Sequence, residues 1–332
     1  MKKKLSVLLL TLVLGGAMAL SGCGGEAEES TGSDGAIKCK IGYWGGTCEA
    51  PIYIAYEKGY FKECGIDPEL LVITADTTTL MANGQLDCYE LTPDQFMPIK
   101  NGTEVKIIDS LHTGCIQGAA SRKSGIKTVK DLEGKKVAAE QGGITQILVA
   151  SEMVKAGYDP KKVEWVTYPN PEKQLALDKG EIDAFVAYDP FAEMAENQGH
   201  TKFFSNTFDK GLNDVLCCFV GLNTSAMERN PELAGRLSKA FKMACDYLQK
   251  NPREAAELIM EKEYIAGDAA VNAKLIKDYT WIAGDKDLLY NSAREIWHQV
   301  YRAGALDEEV SKDKLDDWIN DMVDKMVVYE GN

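Results

Sequence analysis

Residues 38–58, with the sequence KCKIGYWGGTCEAPIYIAYEK, decide the fold. Residues 38–43 alternate in polarity and predict a β-strand, residues 44–47 are glycine-rich and predict a loop, and residues 49–58 predict a helix. The same order of strand, glycine loop and helix returns at residues 136–155. A chain that alternates short apolar runs with helices in this way predicts βαβ units and an α/β fold.

Two apolar runs predict connections between two lobes. Residues 105–111 form a strand that leaves the first lobe, and residues 215–222 form a strand that returns to it. This arrangement predicts a first lobe of residues 37–113 plus 222–332 and a second lobe of residues 114–221. Because ligands of open α/β sheets bind beyond the carboxyl ends of the strands, we expect the binding site in the cleft between the lobes.

The C-terminal part of the chain predicts helices only. From about residue 231 to residue 326, apolar side chains recur at three- and four-residue steps. We therefore expect no further strand beyond Asn223, and a helical segment that completes the first lobe.

The N-terminus predicts export and lipid attachment. Residues 1–22 have a basic start and a short apolar run, as expected of a signal peptide. The sequence 20–23, LSGC, resembles a bacterial lipobox, which implies lipidation of Cys23; a soluble secreted protein is the alternative. Residues 23–36 are polar and small, so they predict a flexible tether. The expected location is extracytoplasmic, anchored by lipid to the bacterial cell membrane.

Charge and histidine content exclude several classes of function. The 332 residues carry a formal net charge of −14, which disfavours nucleic-acid binding. The three histidines do not form pairs at the spacing of common metal motifs, so neither a metal site nor a cofactor is predicted.

Eight cysteines remain after Cys23, and no C-x-x-C motif occurs. The sequence favours free buried thiols over disulfides. The adjacent Cys217 and Cys218 lie in an apolar run, which predicts that they point to opposite faces of a strand.

Four stretches resemble the bacterial solute-binding proteins of ABC importers for sulfonates, taurine, nitrate and thiamine-precursor pyrimidines. They are residues 55–67 (AYEKGYFKECGID), 83–87 (NGQLD), 129–137 (VKDLEGKKV) and 180–191 (GEIDAFVAYDPF). The resemblance implies a two-lobed fold like type II periplasmic-binding proteins, with two crossover strands and a C-terminal helical segment. It also implies capture of a small solute by lobe closure and delivery to an ABC-transporter permease, without catalysis, by a monomer.

The candidate ligand-binding residues follow the predicted strands. Three post-strand loops open helices and carry glycines or hydroxyls: residues 45–47, 77–79 and 142–145. Such loops suit an anion because helix N-termini offer free N–H groups. Aromatic and polar side chains near the same strand ends complete the set. The candidates are Tyr43, Trp44, Gly46, Thr47, Thr77, Thr78, Thr92, His112, Gln141, Gly142, Gly143, Tyr188 and Asp189.

The charges near these loops leave the solute open. The loops contain no Lys or Arg, whereas Glu49, Asp76, Asp94 and Asp189 lie in or beside them. An inorganic anion such as nitrate would draw a cationic partner, so nitrate and bicarbonate are in doubt. The aromatic side chains fit a small organic molecule with a donor group better, such as an aminopyrimidine or a zwitterionic sulfonate.

Two alternatives to import remain. The first is an enzyme: the solute-binding proteins that the chain resembles are similar to a fungal enzyme that makes the pyrimidine half of thiamine. That enzyme carries a C-C-C-F-C stretch, of which residues 216–220 (LCCFV) keep only part. A lipoprotein that senses a ligand for a membrane receptor is the other alternative. The sequence has no phosphate-binding P-loop and no G-x-S-x-G elbow, so other enzyme classes lack support.

Overall fold

The computed structural model describes residues 35–74, 76–306, 310–324 and 326. The predicted signal peptide, Cys23 and all but the last two residues of the predicted tether lie outside the described residues. No helix in the described part of the chain is both long enough and apolar enough to cross a membrane.

Strands and helices alternate through the first two thirds of the chain, as predicted. The strands are β1 (Ile37–Tyr43), β2 (Ile66–Val72), β3 (Cys88–Leu91), β4 (Val105–Thr113), β5 (Ile116–Ala120), β6 (Lys136–Ala138), β7 (Glu164–Val166), β8 (Ala184–Tyr188), β9 (Thr201–Ser205), β10 (Leu216–Asn223) and β11 (Thr280–Trp281). The α-helices are α1 (Ala50–Glu57), α2 (Tyr60–Glu63), α3 (Thr77–Ala82), α4 (Phe96–Lys100), α5 (Ile144–Lys155), α6 (Asn170–Lys179), α7 (Phe191–Asn197), α8 (Thr224–Arg229), α9 (Leu233–Lys250), α10 (Pro252–Glu261), α11 (Ala269–Asp278), α12 (Lys286–Arg302) and α13 (Lys312–Asp324). Four 3-10 helices span Thr47–Glu49, Pro93–Gln95, Val129–Asp131 and Pro160–Lys162.

The strands form two mixed sheets. The first sheet has the order β11-β4-β10-β3-β1-β2, and the second has the order β7-β6-β8-β5-β9. β1 is parallel to β2 and β3, whereas β10 runs antiparallel to both β3 and β4. In the second sheet, β6 is parallel to β7 and β8, and β5 is antiparallel to β8 and β9. The α/β prediction is confirmed.

The chain crosses between the sheets twice. It leaves the first sheet at the end of β4 and enters the second at β5, and it returns from β9 to β10. Every residue of β10 is buried. The strand lies between β3 and β4, and helices α8 and α12 contact it, so apolar residues predominate up to the terminal Asn223. The division of the chain into 37–113 plus 222–332 and 114–221 stays a prediction.

Two short strands differ from the sequence prediction. β5 was not predicted, because its sequence IQGAA lacks β-branched residues after the first position. The prediction of helices only beyond Asn223 is wrong, since β11 pairs with β4 through Thr280 and Trp281. A two-residue strand has too few side chains to produce a period.

Amphipathic helices cover the first sheet. Helix α9 buries one face, which includes Leu237, Phe241 and Leu248, against the sheet and its neighbouring helices. Phe61 of α2 packs edge-on against Phe241, with ring centroids 5.6 Å apart. The i, i+4, i+7 spacing of the buried residues is what made this helix predictable from the sequence.

A buried carboxyl group on β4 gives a pH-dependent prediction. Asp109 Oδ1 accepts hydrogen bonds from the backbone N–H groups of Ser110 (2.8 Å) and Gly284 (2.7 Å). Burial raises the pKa of Asp109 to about 6 from an ordinary value of 3.8, so its ionisation costs stability as the pH rises from about 4 to about 6. Asparagine can accept the same two bonds without ionising. We expect the stability of Asp109→Asn relative to the unchanged chain to increase by about 2 kcal/mol between pH 4 and pH 7.

Urea unfolding at a series of pH values measures this difference. Asp131→Asn is the matched control. Asp131 is exposed, and backbone hydrogen bonds lower the pKa of its carboxyl. As the pH rises through the acidic range, Asp131→Asn should therefore lose stability relative to the unchanged chain, the opposite of Asp109→Asn. An Asp109→Asn curve parallel to that of the unchanged chain would contradict the prediction.

Candidate functional site

The carboxyl ends of the parallel strands converge between the two sheets. In the first sheet, β1, β2, β3 and β4 all end at one edge, and β10 begins there because it runs in the opposite direction. In the second sheet, β6 and β8 end beside the start of β5. The loops that leave these ends therefore face each other, as expected for ligand sites of α/β proteins.

The glycine loop after β1 surrounds a carboxylate of the chain itself. Glu49 is buried and accepts hydrogen bonds from the backbone N–H groups of Trp44, Gly45 and Gly46 at 2.8–3.0 Å. The Tyr53 hydroxyl donates a further bond of 2.8 Å. Burial raises the pKa of Glu49 to about 7, assisted by the charge of the adjacent Cys48, while the hydrogen bonds oppose the rise. The N–H groups predicted to bind an anionic solute bind Glu49.

Acidic side chains also cap the other two candidate loops. Asp76 Oδ1 accepts from Thr79 N at 2.9 Å and so caps helix α3. Asp94 follows β3, and burial raises the pKa of its carboxyl to about 6; hydrogen bonds from Thr92 and from the backbone of Ile144, at the start of α5, oppose the rise. Each of the three predicted anion-binding loops thus contacts a carboxyl group from its own chain.

Asp189 joins the two sheets. Its carboxylate accepts a hydrogen bond from Gln117 Nε2 at 2.7 Å and another from the Tyr279 hydroxyl at 2.5 Å. Its backbone carbonyl accepts from Thr47 N at 3.4 Å. Burial raises the pKa of Asp189 to about 7, against the lowering effect of the bonds from Tyr279 and Gln117. Asp189 follows β8 of the second sheet, whereas Thr47 and Tyr279 lie beside the first sheet.

Four thiols and one imidazole lie at the point where the chain crosses between the sheets. Cys115 Sγ is 3.0 Å from Cys217 Sγ and 3.7 Å from Cys218 Sγ. Contacts with Cys115, Cys218 and His112 lower the pKa of the buried Cys48 thiol. The eight described cysteines are free thiols, in agreement with the sequence interpretation.

The interpretation of Cys217 and Cys218 as residues on opposite faces is wrong. The pairing of β10 with β4 shifts register between Leu216 and Cys218 and again between Cys218 and Phe219. Such a bulge lets neighbouring side chains turn to the same side, so both thiols contact Cys115.

His112 is buried between aromatic rings. Its ring stacks on Tyr279 with centroids 5.2 Å apart, and Trp281 packs edge-on at 5.2 Å. Tyr188, predicted with Asp189, is partly buried; burial raises the pKa of its hydroxyl, and the charge of Asp94 adds to the rise. The predicted residues Thr47, His112, Tyr188 and Asp189 therefore belong to one region.

The two aromatic residues before the glycine loop have different environments. Tyr43 packs edge-on against Tyr53 and Tyr264, with centroids 5.4 and 5.7 Å away. Trp44 has 51% of its surface exposed, and its backbone N–H binds Glu49. Contact between the Trp44 ring and a solute stays a prediction.

The remaining predicted residues lie around this region. Thr77 Oγ1 accepts from Gln95 Nε2 at 2.8 Å and is buried, whereas Thr78 is partly exposed. Thr92 precedes the 3-10 helix that carries Asp94. Gly143 is the buried N-cap of α5, and Gln141 and Gly142 are exposed before it.

Sequence reasoning did not identify several residues of this region as site residues. Gln117 was not identified because β5 was not predicted, and Tyr279 lies in a segment predicted as purely helical. Cys48 and Cys115 could have been found, since Cys48 follows the candidate Thr47 and Cys115 lies three residues after the candidate His112.

The comparisons with known proteins agree with this fold. The architecture is that of the periplasmic-binding proteins. Residues 47–255 match the family described as NMT1/THI5 like, and the chain belongs to this family. The resemblance found in the sequence is confirmed.

Named relatives include an enzyme and binding proteins. The chain is 28% identical over 268 residues to 4-amino-5-hydroxymethyl-2-methylpyrimidine phosphate synthase THI12 of Saccharomyces cerevisiae, covering 75% of this chain and 76% of the relative. The nitrate-binding protein NrtA of Synechocystis PCC 6803 superposes with a TM-score of 0.71 at 17% identity, over 89% and 86% of the two chains. The alkanesulfonate-binding protein SsuA of Xanthomonas axonopodis pv. citri superposes with a TM-score of 0.69 at 14% identity, over 88% and 98%. These structural similarities establish the fold and leave the ligand open.

Proposed function

We propose that the protein is the extracytoplasmic solute-binding component of an ABC importer, held at the membrane by a lipid on Cys23. It captures one small solute between its two lobes and passes it to a permease without chemical change. The observation that carries this proposal is the buried polar contact between the two sheets at Asp189, to which both sides contribute.

Further contacts between the two sides support lobe closure around the crossing strands. Lys274 of α11 forms an ion pair of 3.0 Å with the buried Glu193 of α7. Arg302 of α12 donates a hydrogen bond of 3.1 Å to Ser151 of α5. Two crossing strands make a natural hinge, and polar contacts of this kind can break and form again as the hinge moves.

The acidic caps of the loops bear on the solute. Because Glu49, Asp76 and Asp94 already contact the loop after β1, the loop after β2 and the loop that opens α5, an anionic solute would have to displace or repel a carboxyl group. A neutral or cationic organic molecule with hydrogen-bond donors, such as an aminopyrimidine, fits this environment better than nitrate.

A screen of thermal stability against pyrimidines, sulfonates, taurine, nitrate and amino acids tests the proposed function. A true solute raises the melting temperature, and above its dissociation constant the stabilisation grows with the logarithm of the solute concentration. It also reduces the radius of gyration in small-angle X-ray scattering. Stabilisation by no compound, or stabilisation with an unchanged radius of gyration, would count against capture by closure.

The synthase named among the relatives makes an enzyme the second candidate. At 28% identity, the yeast proteins share enough sequence to favour a test of turnover. Mass spectrometry of the small molecules recovered after incubation distinguishes the candidates, because a binding protein returns its solute unchanged and an enzyme does not.

Removing the Tyr279 hydroxyl is expected to weaken solute binding. Tyr279→Phe deletes the hydrogen bond to Asp189 that joins the two sides, and a bond to a charged group contributes roughly 1.5 kcal/mol or more. We expect a dissociation constant about tenfold higher, measured by isothermal titration with the solute found in the screen. Tyr301→Phe is the control, since Tyr301 is 41% exposed. Equal affinity of Tyr279→Phe and the unchanged chain would exclude a role of this bond in closure.

A further inference from the structure

Cys48, His112, Cys115 and Cys218 form a cluster of possible metal ligands, and each of them is buried. One ligand atom from each side chain lies within 4.8 Å of the other three. The four residues come from the turn before α1, the end of β4, the turn between β4 and β5, and β10. The tertiary fold, rather than a local sequence motif, therefore brings them together.

We propose that these four side chains bind one divalent cation of the zinc class in a tetrahedral site, called here the Cys3His site. Three thiolates and one imidazole are a common ligand set of tetrahedral zinc. With metal–sulfur bonds of about 2.3 Å, a tetrahedral ion holds its sulfur ligands about 3.8 Å apart. Cys115 Sγ and Cys218 Sγ are already 3.7 Å apart.

The imidazole of His112 supports this assignment. His112 Nε2 is one of the buried side-chain atoms in the described part of the chain that have no hydrogen-bond partner. The other ring nitrogen, Nδ1, is 3.4 Å from the carbonyl oxygen of Thr113. A buried polar atom without a partner costs roughly 1–3 kcal/mol, and a bond to a metal removes that cost. A histidine that binds metal through one nitrogen and faces a carbonyl through the other is the usual arrangement.

The backbone of Cys115 is a separate indication. Its φ angle is +111°, which lies in a region that residues other than glycine rarely adopt. Such a conformation costs on the order of 1–3 kcal/mol and is most often found at functional sites. Here the backbone conformation holds Cys115 Sγ among the other thiols, and the free energy of metal binding would offset its cost.

Two further buried groups lie beside the four proposed ligands. Glu90 of β3 is buried, and its Oε2 is another atom without a hydrogen-bond partner among those described. Cys217 Sγ lies 3.0 Å from Cys115 Sγ, closer than two separate ligands of one ion, and can donate a hydrogen bond to the Cys115 sulfur. Cys218 is the one proposed ligand within residues 216–220, the stretch compared above with the C-C-C-F-C sequence of the fungal enzyme. Cys48, His112 and Cys115 lie outside that stretch.

Metal binding by the reduced, purified chain tests the Cys3His site. The chain is freed of metal with a chelator and titrated with Zn²⁺ in competition with a chromophoric chelator, and separately with Co²⁺. We expect one ion per chain, and for Co²⁺ the intense visible bands and sulfur charge-transfer absorption of tetrahedral thiolate coordination. This readout goes beyond the proposed function and needs neither a solute nor a permease, so failure of one proposal leaves the other standing.

Single substitutions locate the ion. Cys115→Ser and Cys48→Ser should each weaken Zn²⁺ binding roughly 100-fold or more and abolish the Co²⁺ charge-transfer band. Cys245→Ser is the matched control: Cys245 is also a buried free cysteine, but its thiol contacts the carbonyl of Leu111, and serine can donate the same bond. If Cys115→Ser does not fold, loss of the Co²⁺ charge-transfer band in Cys48→Ser gives the same information.

Several results would overturn the proposal. They are no Zn²⁺ bound by the reduced chain, octahedral Co²⁺ spectra, and equal binding by Cys48→Ser and the unchanged chain. Formation of a Cys115–Cys217 disulfide in a chain that binds no Zn²⁺ after reduction would assign the short Sγ–Sγ distance to thiol oxidation instead.

Discussion

Glu49→Ala is expected to lower the free energy of unfolding by about 3 kcal/mol. The substitution removes the acceptor of three backbone N–H groups in residues 44–46 and of the Tyr53 hydroxyl. Hydrogen bonds to a charged group contribute about 1.5–3 kcal/mol each, but water can reach part of this loop and replaces some of them. Chemical denaturation at pH 7.5 measures the loss.

Two further variants show what Glu49 contributes. Glu49→Gln keeps one acceptor oxygen, so it should lose less stability than Glu49→Ala. Glu63→Ala, at an exposed glutamate of α2, should change stability by no more than about 0.5 kcal/mol. If Glu49→Ala and Glu63→Ala are equally stable, the glycine loop does not depend on its internal carboxylate, and its N–H groups are available to a solute.

Gly114→Ala is expected to cost about 3 kcal/mol or more. Gly114 has a φ angle of +84°, and a methyl group there would lie 2.6 Å from Thr207 Oγ1 and 3.0 Å from Thr207 Cα. The left-handed conformation costs a non-glycine residue about 1–2 kcal/mol, and the clash with backbone adds about 1–3 kcal/mol. Thr207 Oγ1 also accepts a hydrogen bond from Cys115 N at 3.2 Å, so the turn between β4 and β5 would shift as a whole.

Gly134→Ala separates the two contributions. Gly134 has a similar φ angle of +75°, but a methyl group there meets no atom within 4 Å. Its loss of stability, about 1 kcal/mol, reports the backbone conformation alone. Thermal and chemical unfolding of both variants checks the difference. Losses of equal size would mean that Thr207 can move without cost.

The sequence was sufficient to predict the architecture, whereas the position of the binding site stays a prediction. The repeated order of strand, glycine loop and helix at residues 38–58 and 136–155 reflects local periodicity, which is visible in one chain. The four family stretches, in order along the chain, fixed the class of fold. The strands missed, β5 and β11, are short or lack β-branched residues, so they carry little local signal.

The chemistry of the site was less predictable because it depends on contacts between distant residues. The N–H groups of residues 44–46 bind Glu49 because of the geometry of the turn before α1. Composition does not reveal that geometry. Tyr279 reaches Asp189 across 90 positions. The thiols of Cys217 and Cys218 face one neighbour because of a register shift in β10, and regular alternation predicted the opposite.

The position of β10 has a consequence for the order in which the protein assembles. β10 is a central strand of the first sheet, between β3 and β4, yet it follows the whole second sheet in sequence. During synthesis from the N-terminus, all strands of the second sheet are present once Ser205 has been made. At that point the first sheet still lacks the strand that lies between β3 and β4. The sheet that begins first therefore finishes last, and until residues 216–223 insert, the edges of β3 and β4 are open to wrong partners.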